Sequence, residues 1–300
     1  MTDDGTQDPV RIFVGTDQVQ RLAVDVLAFS IRRHTHSPVN VRSLENVTLP
    51  TSSGKGSSSR TGFSFARFAI PELAGRRGRA IYLDADMLVF RDVRELWGLP
   101  FAGAKVLLQD DPPQAESARK RIKQTAVMVM DCAALDWDAR AIVRGVGRDY
   151  TYEQLMQQLC ILRSSDIRHA IPAHWNSLEY YDESTSLIHF TDMLTQPWVS
   201  PFNRNGWLWT AEVRRMLEAG ALDWKRVEEE VAKGHFRPSL LTELRQVAGK
   251  RPVTEEVMAE LATEDRKAGY IAHRHLNRHS SPLVRVRRAV GGLLRQAGLR

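Results

Sequence analysis

Ile81-Tyr82-Leu83-Asp84-Ala85-Asp86-Met87-Leu88-Val89-Phe90 sets two carboxylates, one residue apart, inside a run that is otherwise apolar and β-prone. Strand alternation sends Asp84 and Asp86 to one side and Ala85 to the other. Buried ionised carboxylates are costly unless they are paired or bound to metal, so two of them at the end of a buried strand call for compensating positive charge. Hard oxygen ligands in this arrangement suit Mg²⁺ or Mn²⁺, which take a few protein carboxylates and leave other positions to phosphate oxygens. The same spacing also fits a strand-to-turn junction in which an Asp caps the segment that follows.

Working outward from this run, strand-like and helix-like segments alternate. Residues 10–15 (Val-Arg-Ile-Phe-Val-Gly) are a short β-branched stretch ending in Thr16-Asp17, which fits a helix cap. An apolar stripe through Leu22, Val24, Val26, Phe29 and Ile31 predicts a helix to about Arg33. Residues 39–44 read as a second strand, and 51–59 (Thr-Ser-Ser-Gly-Lys-Gly-Ser-Ser-Ser) as a flexible loop that lacks the GxxxxGK[ST] phosphate-loop pattern. A short helix is expected over 63–70, stopped by Pro71, then a strand at 79–84 and a helix at 93–97. Strands near 105–109 and 126–131, helices at 133–143 and 152–162, and strands at 167–171 and 186–190 follow. Alternation of this kind predicts an α/β sandwich on a largely parallel sheet. Ligands of such sheets bind beyond the carboxyl ends of strands, where Thr16-Asp17 and Asp84–Asp86 both fall.

Composition bounds the rest. Three hundred residues with 43% hydrophobic content are enough for one large core or two small ones. No apolar run approaches the length of a membrane span, and the polar, acidic first nine residues are unlike a signal peptide and are expected to be disordered. Cys132 and Cys160 form neither a CxxC pair nor a disulfide framework, which points to a reducing cytoplasm. The net charge is +6, and between Asp265 and Arg300 nine Lys or Arg residues accompany one acid, so the tail favours an anionic partner.

Four segments, in order over roughly residues 10 to 200, carry a resemblance. They are Phe13-Val14-Gly15-Thr16-Asp17; Phe65-Ala66-Arg67-Phe68 with Tyr82-Leu83-Asp84-Ala85-Asp86 and Leu96-Trp97; Gln124-Thr125-Ala126 with Glu153-Gln154; and Ile188-His189-Phe190 with Gln196-Pro197-Trp198. Together they resemble the GT-A-fold glycosyltransferases of family 8, the glycogenin and bacterial galactosyl- and glucosyltransferase type. The resemblance implies a Rossmann-like, mixed but largely parallel sheet flanked by helices, as a catalytic domain over 10–205. Residues 206–300 are then a helical extension with a basic tail.

By that resemblance Asp84, Asp86 and His189 coordinate Mn²⁺ (or Mg²⁺), which holds the pyrophosphate of a nucleotide sugar, most often a UDP-hexose. Histidine is a competent third ligand through a neutral ring nitrogen, although a strand histidine can equally be satisfied by hydrogen bonds. Arg67 resembles the family arginine that contacts the donor and braces the DxD carboxylates, which suits a planar guanidinium. Thr16, Asp17, Ala85, Gln124, Thr125 and Asn176 match donor-binding positions. Glu153 and Gln154 match those lining the donor sugar at the anomeric carbon, as candidate catalytic groups; polar residues opening a helix are also ordinary caps. Gln196 stands where the family has a phosphate-neutralising Lys, in a His-to-Pro-Trp spacing one residue longer, and Gln124 or Thr125 where Asn is usual.

The implied activity is transfer of a hexose to a glycan, lipid-linked or protein acceptor in envelope polysaccharide synthesis. Two other classes compete: a catalytically silent nucleotide-sugar-binding protein, for which the absent Lys argues, and a DxD phosphatase, against which the following Met87-Leu88 argues. In the tail Leu283, Val286, Val290, Leu293, Leu294 and Ala297 recur at helical spacing opposite Arg285, Arg288 and Arg295. Such a basic amphipathic helix is expected to contact the inner membrane surface peripherally, or else to dock on its own domain. No nucleic-acid module accompanies it. His273, His275 and His279 among these arginines read as a solvated basic face.

Overall fold

In the computed structural model, residues 9–50, 63–109, 124–246 and 253–273 are described. The expected disordered N-terminus up to residue 8, the 51–59 loop, His275, His279 and the Arg-rich tail helix lie outside them. The chain divides into two compact units, Met1–Ser177 with Asp182–His189, and Leu178–Tyr181 with Phe190–Arg300.

The first unit is built on strands β1 (Val10–Gly15), β2 (Val39–Ser43), β3 (Arg79–Asp84), β4 (Met87–Val89), β5 (Val106–Gln109), β6 (Val127–Asp131) and β7 (Ile167–Ile171). After the short β8 (Ser177–Leu178) comes β9 (Leu187–His189). Its helices are α1 (Arg21–His34), α2 (Ile70–Leu73), α3 (Arg94–Trp97), α4 (Ala139–Gly145) and α5 (Tyr152–Gln158). Six strands form one sheet in the order β2-β1-β3-β6-β5-β7. β6 runs antiparallel to both its neighbours, and the other pairings are parallel.

Strand alternation divides the sheet's side chains between two cores. Ile12, Val14, Ile81, Leu83, Val127 and Val129 pack with Val24, Leu27 and Ile31 of α1. Phe13, Tyr82, Met128 and Met130 pack with Phe65, Phe68, Val143 and Leu155 on the opposite face. Both faces are thus covered, which is why the strands read as near-continuous apolar runs. β4 and β9 pair antiparallel beside this sheet, with Met87 opposite His189.

Three element boundaries differ from the sequence reading. Pro71 does not stop a helix: a 3₁₀ stretch (Phe63–Ala69) runs into α2, and Pro71 occupies its first turn, where a missing N–H costs nothing. The helix expected from 133 starts only at Ala139, because Asp138 caps it by accepting from Arg140 N and Ala141 N. α5 ends at Gln158, followed by Leu159 in the left-handed region at φ 47°.

The second unit is helical: α6 (Gly206–Glu218), α7 (Trp224–Ala232), α8 (Ser239–Gln246) and α9 (Glu255–Lys267). Trp198, Trp209 and Phe236 form its aromatic core, with ring centroids 5.1 to 6.3 Å apart. Beside them Arg237 is buried and donates to Pro197 O, Ser239 Oγ and Glu243 Oε2.

Candidate metal centre

Asp84 is the last residue of β3, in register with Gly15 at the end of β1. Ala85 turns away, its N–H donating to Gly15 O at 3.1 Å. The chain then re-enters extended structure at Met87, and the β4–β9 register puts His189 opposite that residue, next to Asp86. Two carboxylates from one turn and an imidazole from a distant strand therefore converge, with one ligand atom from each lying within 4.8 Å of the others.

His189 is fully buried, and its Nε2 makes no hydrogen bond. That nitrogen nonetheless lies 3.0 Å from Asp86 Oδ1 and 3.9 Å from Asp84 Oδ2. A buried polar atom with no hydrogen bond, facing two carboxylates, is the arrangement a shared cation satisfies. Two oxygens and one imidazole nitrogen form a donor set that suits Mn²⁺ or Mg²⁺. The residues present fit the implied ion.

The other carboxylate oxygen of Asp84 is already engaged. Oδ1 accepts from Tyr82 OH at 2.5 Å and from Arg67 Nη2 at 3.2 Å. Arg67 lies 4.3 Å over the Tyr82 ring and is buried. Its remaining donors go to Ser64 O (2.8 Å), Thr125 O (2.5 Å) and Thr125 Oγ1 (3.1 Å). Burial alone would lower the Arg67 pKa; Tyr82, Asp84 and Tyr152 outweigh it, so the guanidinium is held above its ordinary value. Burial, reinforced by Asp84, pushes the Tyr82 hydroxyl well above its ordinary value, so it stays a donor. Gly15 makes room for this contact: an added Cβ would meet Tyr82 Cζ at 2.8 Å.

The residues singled out in the sequence are placed as follows. Asp84, Asp86 and His189 meet, and Arg67 with Thr125 backs Asp84. Asn176 is buried, with Oδ1 at 2.9 Å from His189 Nδ1. Thr16 is buried and donates to Asp17 O, while Asp17 Oδ1 caps the following turn by accepting from Val19 N and Gln20 N. Gln124 opens the 3₁₀ turn that leads into β6. Glu153 and Gln154 are exposed at the start of α5. Gln154 closes a capping box there, accepting from Thr151 N while Thr151 Oγ1 accepts from Gln154 N. Gln196 belongs to the second unit, buried, with Nε2 donating to Phe190 O at 3.2 Å. Two participants were missed. Tyr82 shares a strand face with Asp84, a signal present in the sequence. Gln109 is a polar residue ending a buried strand, as Asp84 is, and its Oε1 accepts from Asn176 Nδ2 at 2.7 Å.

Residues 10–133 match the model of glycosyl transferase family 8. Protein CDI of Arabidopsis thaliana is 35% identical over 95 residues, which are 30% of this chain and 37% of that protein. The chain therefore spans well under half the length of this curated relative. Among solved structures, the glycosyltransferase GlyE of Streptococcus pneumoniae TIGR4 is similar at 13% identity and a TM-score of 0.49, over 83% of this chain and 67% of that one. The galactosyltransferase LgtC, solved with donor and acceptor sugar analogs, is similar at 12% identity and a TM-score of 0.45, over 71% and 96% of the respective chains.

Proposed function

We propose that this chain, whose residues 10–133 match the model of glycosyl transferase family 8, is a metal-dependent retaining hexosyltransferase. Its donor is a UDP-hexose, and its acceptor a glycan, lipid or protein hydroxyl. The observation that carries the reading is the buried His189 Nε2, without a hydrogen bond and facing Asp84 and Asp86. Those three residues hold Mn²⁺ or Mg²⁺. The bound ion supplies Lewis-acid stabilisation of the negative charge that develops on the departing diphosphate.

The chain's own residues prepare that site. Arg67 and Tyr82 fasten Asp84 through Oδ1, which leaves Oδ2 on the His189 side. A buried, permanently protonated Arg67 also offsets the negative charge of the carboxylate pair. Thr16, Asp17, Ala85, Gln124 and Thr125 are assigned to the donor, at the carboxyl ends of β1 and β3 and the start of β6, where ligands of open α/β sheets bind. Glu153 and Gln154 are assigned to the donor sugar as the catalytic pair. Gln196 stands in sequence where the resemblance has a phosphate-neutralising lysine. Two free thiols, Cys132 and Cys160, support a reducing cytoplasmic setting.

The test is incubation with UDP-glucose, UDP-galactose and UDP-GlcNAc, with and without Mn²⁺, followed by NMR of the released or transferred sugar. Retention of the donor's anomeric configuration, dependent on metal, is expected. An inverted product contradicts the family-8 mechanism.

A further inference from the structure

Asp84 offers Oδ2 to the His189 side only while its carboxylate is kept from turning about the Cβ–Cγ bond, a torsion with broad preferences. Arg67 does not do this alone. Its Nε donates to Ser64 O and its Nη1 to both Thr125 oxygens, so Nη2, at 3.2 Å from Oδ1, is its contact with Asp84. A single donor lets the carboxylate pivot about that oxygen. The Tyr82 hydroxyl is a second donor, 2.5 Å from the same oxygen, and two donors converging on Oδ1 set the plane in which Oδ2 lies. The hydroxyl in turn owes its place to Gly15. The Tyr82 ring is fully buried, with the Arg67 guanidinium 4.3 Å from its centroid. The β1–β3 register pairs Gly15 with Asp84, and a Cβ added at Gly15 would meet Tyr82 Cε2 at 3.0 Å, Cζ at 2.8 Å and the hydroxyl oxygen closer still. Gly15 is not among the described glycines with positive φ, so its backbone conformation does not call for glycine. The neighbouring hydroxyl does.

We propose that Gly15 and Tyr82 are positioning residues that fix the Asp84 carboxylate with Oδ2 toward His189, Tyr82 by donating to Oδ1 and Gly15 by leaving the hydroxyl its place. That the fixed oxygen serves a cation rests on the function proposed above. A ligand oriented before the ion arrives has less rotational freedom to lose on binding, so a partner that never touches the ion still changes its affinity. A side chain at position 15 acts through the same contact. Tyr82 has no exposed surface into which its ring could yield, so an added methyl group displaces the ring and carries the hydroxyl away from Oδ1.

The full-length chain tests this with Tyr82→Phe, Gly15→Ala and the double variant. Mn²⁺ affinity, read from the free-ion EPR signal, should fall about 10- to 100-fold in Y82F, the range expected when an outer partner of a metal ligand is lost. G15A should lower it in the wild-type background and add nothing to Y82F, because Gly15 acts through the hydroxyl that Y82F lacks. Without metal, proton NMR of the wild type should show a slowly exchanging downfield hydroxyl proton that Y82F removes and G15A shifts. Unchanged Mn²⁺ affinity in Y82F, or a wild type without that proton, overturns the role of Tyr82. A G15A loss as large in Y82F as in the wild type overturns the role of Gly15. If G15A does not fold, recovery of folding in G15A/Y82F supports the role of Gly15, and failure of both overturns it. The hydroxyl proton present with no Mn²⁺ bound by the wild type would support the Tyr82–Asp84 contact and overturn the metal reading.

Discussion

At Asp84 the two carboxylate oxygens are committed differently. Oδ1 is held by Tyr82 and Arg67, while Oδ2 faces His189 Nε2. Removing a ligand and removing a brace should therefore have different signatures. Asp86→Ala and His189→Ala are expected to abolish metal-dependent turnover. If the ion contributes about 3 kcal/mol to the transition state, the rate falls by about a hundredfold or more. Steady-state donor hydrolysis at saturating Mn²⁺ measures it, and near-normal rates in either variant would remove that residue from the ligand set. Arg67→Lys acts on the brace. One ammonium cannot serve Ser64 O, the Thr125 oxygens and Asp84 together, as the planar guanidinium does. Loss of about 2 kcal/mol or more is expected from leaving buried acceptors unpaired, read as a lower denaturant midpoint. An unchanged midpoint would mean that the Arg67 fork is not structural.

Among the elements, α5 distinguishes a cap from a catalyst. Gln154→Ala opens the capping box with Thr151 and should destabilise by about 1 kcal/mol. Gln154→Glu keeps an acceptor for Thr151 N and should leave the unfolding midpoint unchanged. A fall in kcat in that variant alone would support the donor-facing role; unchanged kcat would leave Gln154 as a cap only. The elements also show what local sequence encodes. β1 was legible because its β-branched run is fully local, and β3 because Ile81-Tyr82-Leu83 is apolar and β-prone. The start of α4 was not, since Ala133, Ala134 and Leu135 favour helix, while the Asp138 cap and the buried Trp137 decide otherwise. The Asp84–Asp86 half of the site lies in one strand end and could be read directly. His189 joins it only through the β4–β9 register, and Gln109 only through β5; long-range pairing of this kind leaves no mark in nearby residues.

Over the whole molecule, the second unit has its own polar keystone. Arg237 and Glu243 are both almost completely buried and paired, and Thr210 adds a hydrogen bond to Glu243. Glu243→Ala should cost about 3 to 5 kcal/mol by leaving a buried guanidinium uncompensated. The four tryptophans of this unit, with Trp198 and Trp209 in its core, provide the fluorescence probe, and a variant as stable as the parent would contradict the pairing. Among the described residues no helix is long and apolar enough to cross a membrane. The proposed membrane contact thus rests on the basic tail of the sequence. Truncation before Ser281 should abolish co-sedimentation with anionic vesicles at low salt, because each basic residue near such a surface contributes about 1 kcal/mol. Equal sedimentation of both forms would assign the contact elsewhere. The central claim, that Asp84, Asp86 and His189 are one ligand set for a nucleotide-bound cation, is tested most directly by calorimetry. Mn²⁺ is titrated into the full chain with UDP present, and into Asp86→Ala and His189→Ala under the same conditions. The account predicts saturable binding in the wild type that is lost in both variants; binding of equal affinity in all three proteins would contradict it.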